Sequence, residues 1–367
     1  MNNTSTARPR CLLILPRGFY SFVNVLTGGL AALGFETRVA NDEYPESFFG
    51  KVISKLGLPL SHAITHKVLT RDHLAGEHYD LILLIKGRGL NAATVATLLQ
   101  HGRHAVGYHF DSFRFDAGPA RWRSMLQRVC TFDYHDAQSH GLAVVELFTS
   151  MPPVAAEALA APRRYKVSAV LRNHSQRLAY LDQTLRALGP LPAGQTFLYI
   201  FEANALSFIA NFLRHPLLYL KYRHAISRKP LPYAQYVAAI AGSELTIDYA
   251  HPKQTGITIR CFEALSAGTR LITNNPWVLR SPYFSADNAL VFDGNGDATR
   301  LRQQLRALPA QPAVALRRTV DDFLRELIGP ATLAALGVPP QPGLTATPVT
   351  ASTAANAAIS MKANTTA

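Results

Sequence analysis

Short, nearly uninterrupted apolar runs return along the chain, and a strand of that kind has few places to go. Cys11 to Pro16, Tyr79 to Ile85, Val106 to Phe110 and Val129 to Phe132 are such runs, with helical stretches between them. A strand with one wet face alternates apolar and polar residues; a run apolar on both faces needs helices on both sides of a parallel sheet. Thr37 to Ala40 reads as a shorter strand, preceded by a helix from a Ser21 cap to about Leu33 that Gly34 ends. A second alternation begins at Tyr165. Strands are expected at 166–171, 196–201, 245–248, 270–273 and 290–292, and helices at 175–188, 204–222, 232–241, 256–267, 297–307 and 313–328. The expected fold class is α/β, with two tandem Rossmann-like, doubly wound parallel-sheet domains joined near Met151-Pro152-Pro153. The expected divisions are a disordered lead (1–9), a first domain (10–150), a second domain (151–310), C-terminal helices (311–338) and a disordered tail rich in Ala, Thr, Pro and Asn (339–367).

A length of 367 residues agrees with two domains. Hydrophobic residues at 48% against 17% charged exclude disorder of the whole chain. No long uncharged apolar run predicts a membrane-spanning helix. The polar start MNNTSTARPR, followed by a short apolar run, does not read as a signal peptide, so a cytoplasmic location is expected. Cys11, Cys130 and Cys261 are widely spaced and read as small buried apolar side chains. A net charge of +13 favours acidic partners: nucleic acid, anionic lipid or a phosphorylated substrate. With no zinc-finger spacing, no RNP-like aromatic pattern and no long basic block, a nucleic-acid partner is not expected.

The most informative stretch runs from Ile247 to Gly268. A strand ends at Asp248, a polar loop follows, and a helix is expected to open near Gly256. Ligands of open parallel sheets sit beyond the carboxyl ends of strands, where a new helix presents N–H groups. Gly256 permits close backbone approach, and His251, Lys253 and Arg260 add donors; together they suit a diphosphate. The bland alternatives are a solvated loop for His251 and Lys253 and an ordinary helix entry for Gly256. Glu263 falls beside the packed positions Ile259, Phe262, Ala264 and Ala267, so its carboxylate needs a partner or exposure. A vicinal diol such as a ribose can donate to both oxygens; an i−3 pair with Arg260 is the alternative. The strand 271–273 ends in Asn274-Asn275, which again faces the crevice.

The string E-A-L-S-A-G-T-R-L-I-T-N-N resembles the second half of the nucleotide-sugar motif of GT-B glycosyltransferases. The longer D-Y-A-H-P-K-Q-T-G-I-T-I-R-C-F-E-A-L resembles bacterial polysaccharide and lipopolysaccharide biosynthesis proteins related to the CgeB-like group. The likeness is weaker over 10–310, where D-L-I-L-L-I-K-G and G-Y-H-F-D-S take part. It implies a GT-B fold with a cleft between its domains. It also implies that Glu263 holds the ribose, that Lys253, Arg260 and the Gln254-Thr255-Gly256 turn lie at the diphosphate, and that Asn274 belongs to the same nucleotide-sugar site. Many retaining members carry an acidic residue where this chain has Thr255, which leaves sugar contacts and stereochemistry open.

The resemblance puts the acceptor on the first domain, at the ends of its strands. Asp111 and His109, Lys86 and Arg88, and Arg17 and Gly18 are the candidates there. Asp111 or His109 would be the general base of an inverting reaction; a turn-forming or capping role for Asp111 is the plain alternative. Arg172 and Arg177 flank the turn after 166–171 and either reach a phosphate or lie on the surface. Asp133, His135 and Asp136 have a spacing that can bind a metal but lack a second ligand group nearby. With no D-x-D triplet, metal-independent chemistry without a cofactor is expected, the leaving diphosphate being held by cationic side chains. Gly87-Arg88-Gly89 is too short for a dinucleotide fingerprint. The apolar, aromatic and basic segment 206–224 suits either an anionic membrane surface or a sheet-covering role. The functional expectation is a glycosyltransferase. It would move a sugar from a nucleotide-sugar donor to a cell-envelope glycan or lipid-linked acceptor, in the cytoplasm or at the inner face of the membrane. The alternative is a non-catalytic GT-B-like nucleotide- or glycan-binding protein.

Overall fold

The computed structural model describes residues 8–16, 20–47 and 59–341. Arg17, Gly18, most of the expected lead and most of the expected tail lie outside the described residues. The apolar runs become two six-stranded sheets. The first holds β1 (Arg10–Leu15), β2 (Glu36–Asn41), β3 (Tyr79–Ile85), β4 (Gly102–His109), β5 (Arg128–Thr131) and β6 (Ala143–Val144) in the order β2-β1-β3-β4-β5-β6. The second holds β7 (Tyr165–Arg172), β8 (Thr196–Phe201), β9 (Ile226–Ser227), β10 (Ser243–Asp248), β11 (Arg270–Thr273) and β12 (Ala289–Val291) in the order β12-β11-β10-β7-β8-β9. Every pairing is parallel. The strand order reverses between β1 and β3 in one sheet and between β7 and β10 in the other, and crevices open at such points.

β1 and β3 pair from Cys11↔Leu81 to Ile14↔Leu84, and these residues are buried on both faces of the sheet. The polar residue of β3, Asp80, accepts the Arg10 backbone N–H at 2.8 Å at the strand entrance. The three cysteines are buried and unpaired.

Three helical expectations change. The stretch 204–222 is two helices, Ala205–Arg214 and Pro216–Tyr222, because Pro216 has no N–H to continue the first and is favoured at the start of the second. The helix expected from 256 begins at Ile259, with an extended Thr258 as its N-cap residue. The stretch expected to be helical from 313 stays non-helical to Thr319, whose capping box with Asp322 starts the helix Val320–Ile328.

That last helix leaves the second sheet and covers the first. Phe323, Leu324, Leu327 and Ile328 share a core with Leu26, Leu30, Tyr108 and Phe148. A Cβ on Gly29 would meet the Leu324 side chain at 2.7 Å, so glycine is what lets the two helices approach there. The same core takes in Ile257, Cys261, Phe262 and Leu265 from the second half of the chain. One apolar body therefore runs through the junction of the two domains.

Candidate functional site

The crevice between β7 and β10 is strongly cationic. Asp248 ends β10 fully enclosed and accepts from Arg260 Nε at 2.7 Å and Thr258 Oγ1 at 3.0 Å. Burial would raise its pKa, but Arg260 and Arg177 outweigh burial and hold it below the usual carboxylate range. Arg260 and Arg177 act on this carboxylate, and Arg172 lies close enough to Arg177 to add to the same positive field. Burial and then Arg260 lower the Arg177 pKa to about 10. Burial, followed by Arg177, Arg172, Arg260 and His251, brings His174 down to about 4. The arginines add to the effect of burial on this histidine, so they lie close to it. Arg177 donates through Nη1 to the Arg172 carbonyl at 3.2 Å, while its buried Nε has no partner.

Backbone geometry marks the same places. Among the described residues, two that are not glycine have positive φ: Ser175 at 59°, just after β7, and Lys86 at 68°, just after β3. Each follows a strand at the reversal point of its sheet. Such conformations cost about 1–3 kcal/mol and gather at ligand sites.

Glu263 is 5% exposed and accepts a hydrogen bond from the Tyr236 hydroxyl. Burial raises its pKa to about 7, against the opposing pull of Tyr236 and Arg260. Its expected alternative partner, Arg260, is paired with Asp248 instead. Glu263 lines a pocket of about 310 Å³ with Leu171, Arg172, Tyr199, Phe201 and Tyr233. Arg260 lines it too, so the carboxyl, two cations and flat aromatic walls share one space.

The loop 251–256 divides between the crevice and the first domain. His251 stays near the cations: burial, Lys253 and Arg177 lower its pKa. Lys253 is exposed beside it, and its backbone N–H donates to His251 Nδ1 at 3.2 Å. Gln254 donates to Asp111 at 3.1 Å. Thr255 turns away from the crevice: its N–H and Oγ1 donate to Asp133 at 2.6 and 2.7 Å, and its Oγ1 accepts from His135 N at 2.9 Å. A Cβ at Gly256 would overlap the Phe132 ring, so the close approach that glycine permits there is to the first domain. Gln254, Thr255 and Gly256, expected at the diphosphate, are all engaged with the first domain and fasten the two domains. Asn274, expected at the same site, has both ends of its amide taken by the Ala250 backbone, at 2.7 and 3.0 Å.

On the first domain, Asp111 forms an ion pair with Lys86 at 2.5 Å and, through Gln254, reaches the second domain. His109 is 2% exposed, with its ring against Phe113 and Trp122 and its Nε2 closed to solvent without a partner. Burial lowers its pKa to about 3. A general base must reach the acceptor hydroxyl, and His109 is enclosed by its own domain in this structure. Asp133, His135 and Asp136 do come together, with ligand atoms within 4.8 Å of one another. The carboxylates are already engaged: Asp133 holds Thr255 and the Asp136 N–H, and Asp136 accepts from Phe113 N at 2.6 Å and Ser112 Oγ at 3.2 Å. Their geometry serves the turn and the domain junction.

Asp248, His174 and Tyr236 were not singled out as site residues from sequence. An acidic residue ending a strand before a basic loop was the available signal for Asp248. His174 stands between Arg172 and Arg177 in sequence, and that basic turn was its signal. Tyr236 lies on a separate helix, and nothing local marks it.

Residues 208–322 match a family model described as glycosyl transferase-like. No curated protein matches the sequence. Among solved structures, a glycosyltransferase involved in avilamycin A biosynthesis superposes with TM-score 0.50 at 14% identity, covering 90% of this chain and 96% of that one. Sucrose-phosphate synthase from Thermosynechococcus elongatus gives TM-score 0.53 at 14% identity, covering 90% and 95%. UDP-GlcNAc 2-epimerase from Neisseria meningitidis, solved bound to UDP-GlcNAc, gives 0.52 at 11% identity, covering 89% and 100%. The fold is the two-domain α/β GT-B fold, at identities that speak to the fold alone.

Proposed function

We propose that the chain is a glycosyltransferase that takes its sugar from a nucleoside diphosphate donor held in the β7/β10 crevice. The observation that carries this reading is the cationic centre: Arg260 and Arg177 on one buried carboxylate, Arg172 beside Arg177, and Arg177 Nε buried and unpartnered. A diphosphate would supply the missing negative charge, and the same groups would stabilise it as it departs. In this reading Glu263 accepts from the ribose hydroxyls while the base lies against Tyr199, Phe201 and Tyr233. The acceptor side is Asp111, the candidate base that reaches the space between the domains. A cell-envelope glycan or lipid-linked acceptor, and affinity with the CgeB-like and lipopolysaccharide biosynthesis proteins, belong to the proposal through the resemblance of 248–275. Metal-independent transfer belongs to it through the cations that would do a metal's work.

Isothermal titration with UDP, TDP, GDP and the matching nucleosides tests the site. A diphosphate should bind more tightly than its nucleoside. Arg177→Gln should weaken the diphosphate about 10- to 100-fold, the effect of losing a charge-assisted hydrogen bond, and leave the nucleoside nearly unaffected. Absence of diphosphate binding at millimolar concentration would overturn the reading.

The enclosure of His109 and the engagement of Asp111 by Lys86 and Gln254 favour a second reading, a nucleotide-binding protein without turnover. Release of nucleoside diphosphate from UDP-sugars, with and without acceptor, separates the two: a pure binder keeps its affinity and releases none.

A further inference from the structure

The helices Ala205–Arg214 and Pro216–Tyr222 carry their largest aliphatic side chains on the outside. Leu206, Leu213 and Leu217 are 81, 72 and 80% exposed, and Ile209 and Leu220 are also exposed. Positions 206, 209, 210 and 213 fall at i, i+3, i+4 and i+7, a single stripe along one helix face, and Leu217 and Leu220 extend the apolar surface on the second helix. The stripe is not an unfilled core. The inner side of the hairpin is already satisfied: Phe208 and Phe212 meet the Tyr219 ring edge-on, and Tyr219, Asn211 and Ser207 all donate to Glu202.

Charge says what the outer side suits. From 203 to 243 the chain has no Asp or Glu but carries Arg214, Lys221, Arg223, Arg228 and Lys229. Lys221 is paired with Asp182 at 2.6 Å; Arg214, Arg223, Arg228 and Lys229 are exposed. A projecting aliphatic stripe bordered by cations and free of carboxylates complements a surface that is apolar inside and anionic at its rim. We propose that this hairpin docks on an anionic lipid bilayer, with the stripe in the interfacial layer and the four cations at the headgroups. Arg214 and His215 also border a polar pocket with Ser175 and Tyr249, which follow β7 and β10. Docking would therefore hold the cleft close to the membrane surface. This inference stands apart from the nucleotide reading, and either can fail alone.

Co-sedimentation of the full chain with vesicles tests it, using phosphatidylcholine alone and phosphatidylcholine mixed with phosphatidylglycerol. Binding is expected to the mixed vesicles and should fall as salt shortens the screening length. Leu213→Glu with Leu217→Glu should cut binding by at least about tenfold, with an unchanged unfolding midpoint. Arg223→Gln with Arg228→Gln and Lys229→Gln should weaken binding to the anionic vesicles selectively. No binding to either vesicle, or undiminished binding by the glutamate variant, would overturn the proposal. So would a dimer in light scattering that the glutamate variant dissolves, since the stripe would then be a contact between copies.

Discussion

Glu263 and Asp42 are both enclosed carboxyls whose pKa burial lifts to about 7. An acid with a folded pKa above its unfolded value stabilises the fold fully below the unfolded pKa, and that contribution is lost as pH rises through the folded one. These two groups therefore contribute a decline as pH rises from about 4 to about 7, set against the rise that His109 and His174 contribute below about pH 6.5 because their folded values are lowered. A tenfold difference in proton affinity between the folded and unfolded chain is worth about 1.4 kcal/mol, so each carboxyl accounts for on the order of 3 kcal/mol. Urea unfolding of Glu263→Gln and of the native chain, compared at each pH, should show the variant gaining stability relative to the native protein as pH rises toward 8. An unchanged profile would mean that Glu263 does not titrate in that window. Because ribose hydroxyls donate to a carboxylate, nucleotide affinity of the native protein should rise through pH 7, and the Gln variant should lose that rise. Sequence made Glu263 legible because a charge among packed positions demands a partner. It left Thr255 and Gly256 ambiguous, because a polar residue and a glycine beside a new helix look alike whether they face a phosphate or a neighbouring domain.

At the scale of elements, buried parallel strands were the legible part: β1 and β3 are apolar runs that suit a sheet covered on both faces. Two-residue strands such as β6 and β9 have no periodicity to read. The helix ends at 259 and 320 were misread because a helix begins where backbone partners become available. The Thr255 and Gly256 carbonyls are taken by the Asn275 side-chain amide while Gly256 sits against Phe132 of the first domain, so winding waits for Thr258. That gives a test of the junction. Gly256→Ala drives a Cβ into Phe132, which is 5% exposed and has no room to yield. The variant should lose roughly 1–3 kcal/mol, the usual cost of overpacking, by chemical unfolding. Phe132→Leu in the same chain should recover part of that loss. Full tolerance of the alanine would mean that the loop does not sit on the first domain as described.

At the scale of the molecule, the sequence suggested two domains but not how they are joined. The amphipathic helix Val320–Ile328 announces that one face is buried without saying against which sheet. Its return to the first sheet, the Thr255–Asp133 hydrogen bonds and the shared core make separate unfolding of the halves unfavourable. The chain has two tryptophans: Trp122 lies within the first domain, and Trp277 belongs to the second domain and stacks on Tyr134 of the first at 5.7 Å. Trp122→Phe and Trp277→Phe therefore leave one reporter each. Their urea curves should coincide, as expected for one cooperative unit. Leu324→Ala removes a fully buried side chain from the crossing helix and should cost about 2–5 kcal/mol. If the core is continuous, that single change moves both reporters' midpoints together, although Trp277 lies in the other half of the chain. A shift confined to the Trp122 reporter would instead mean two units that unfold independently, with the crossing helix belonging to the first alone.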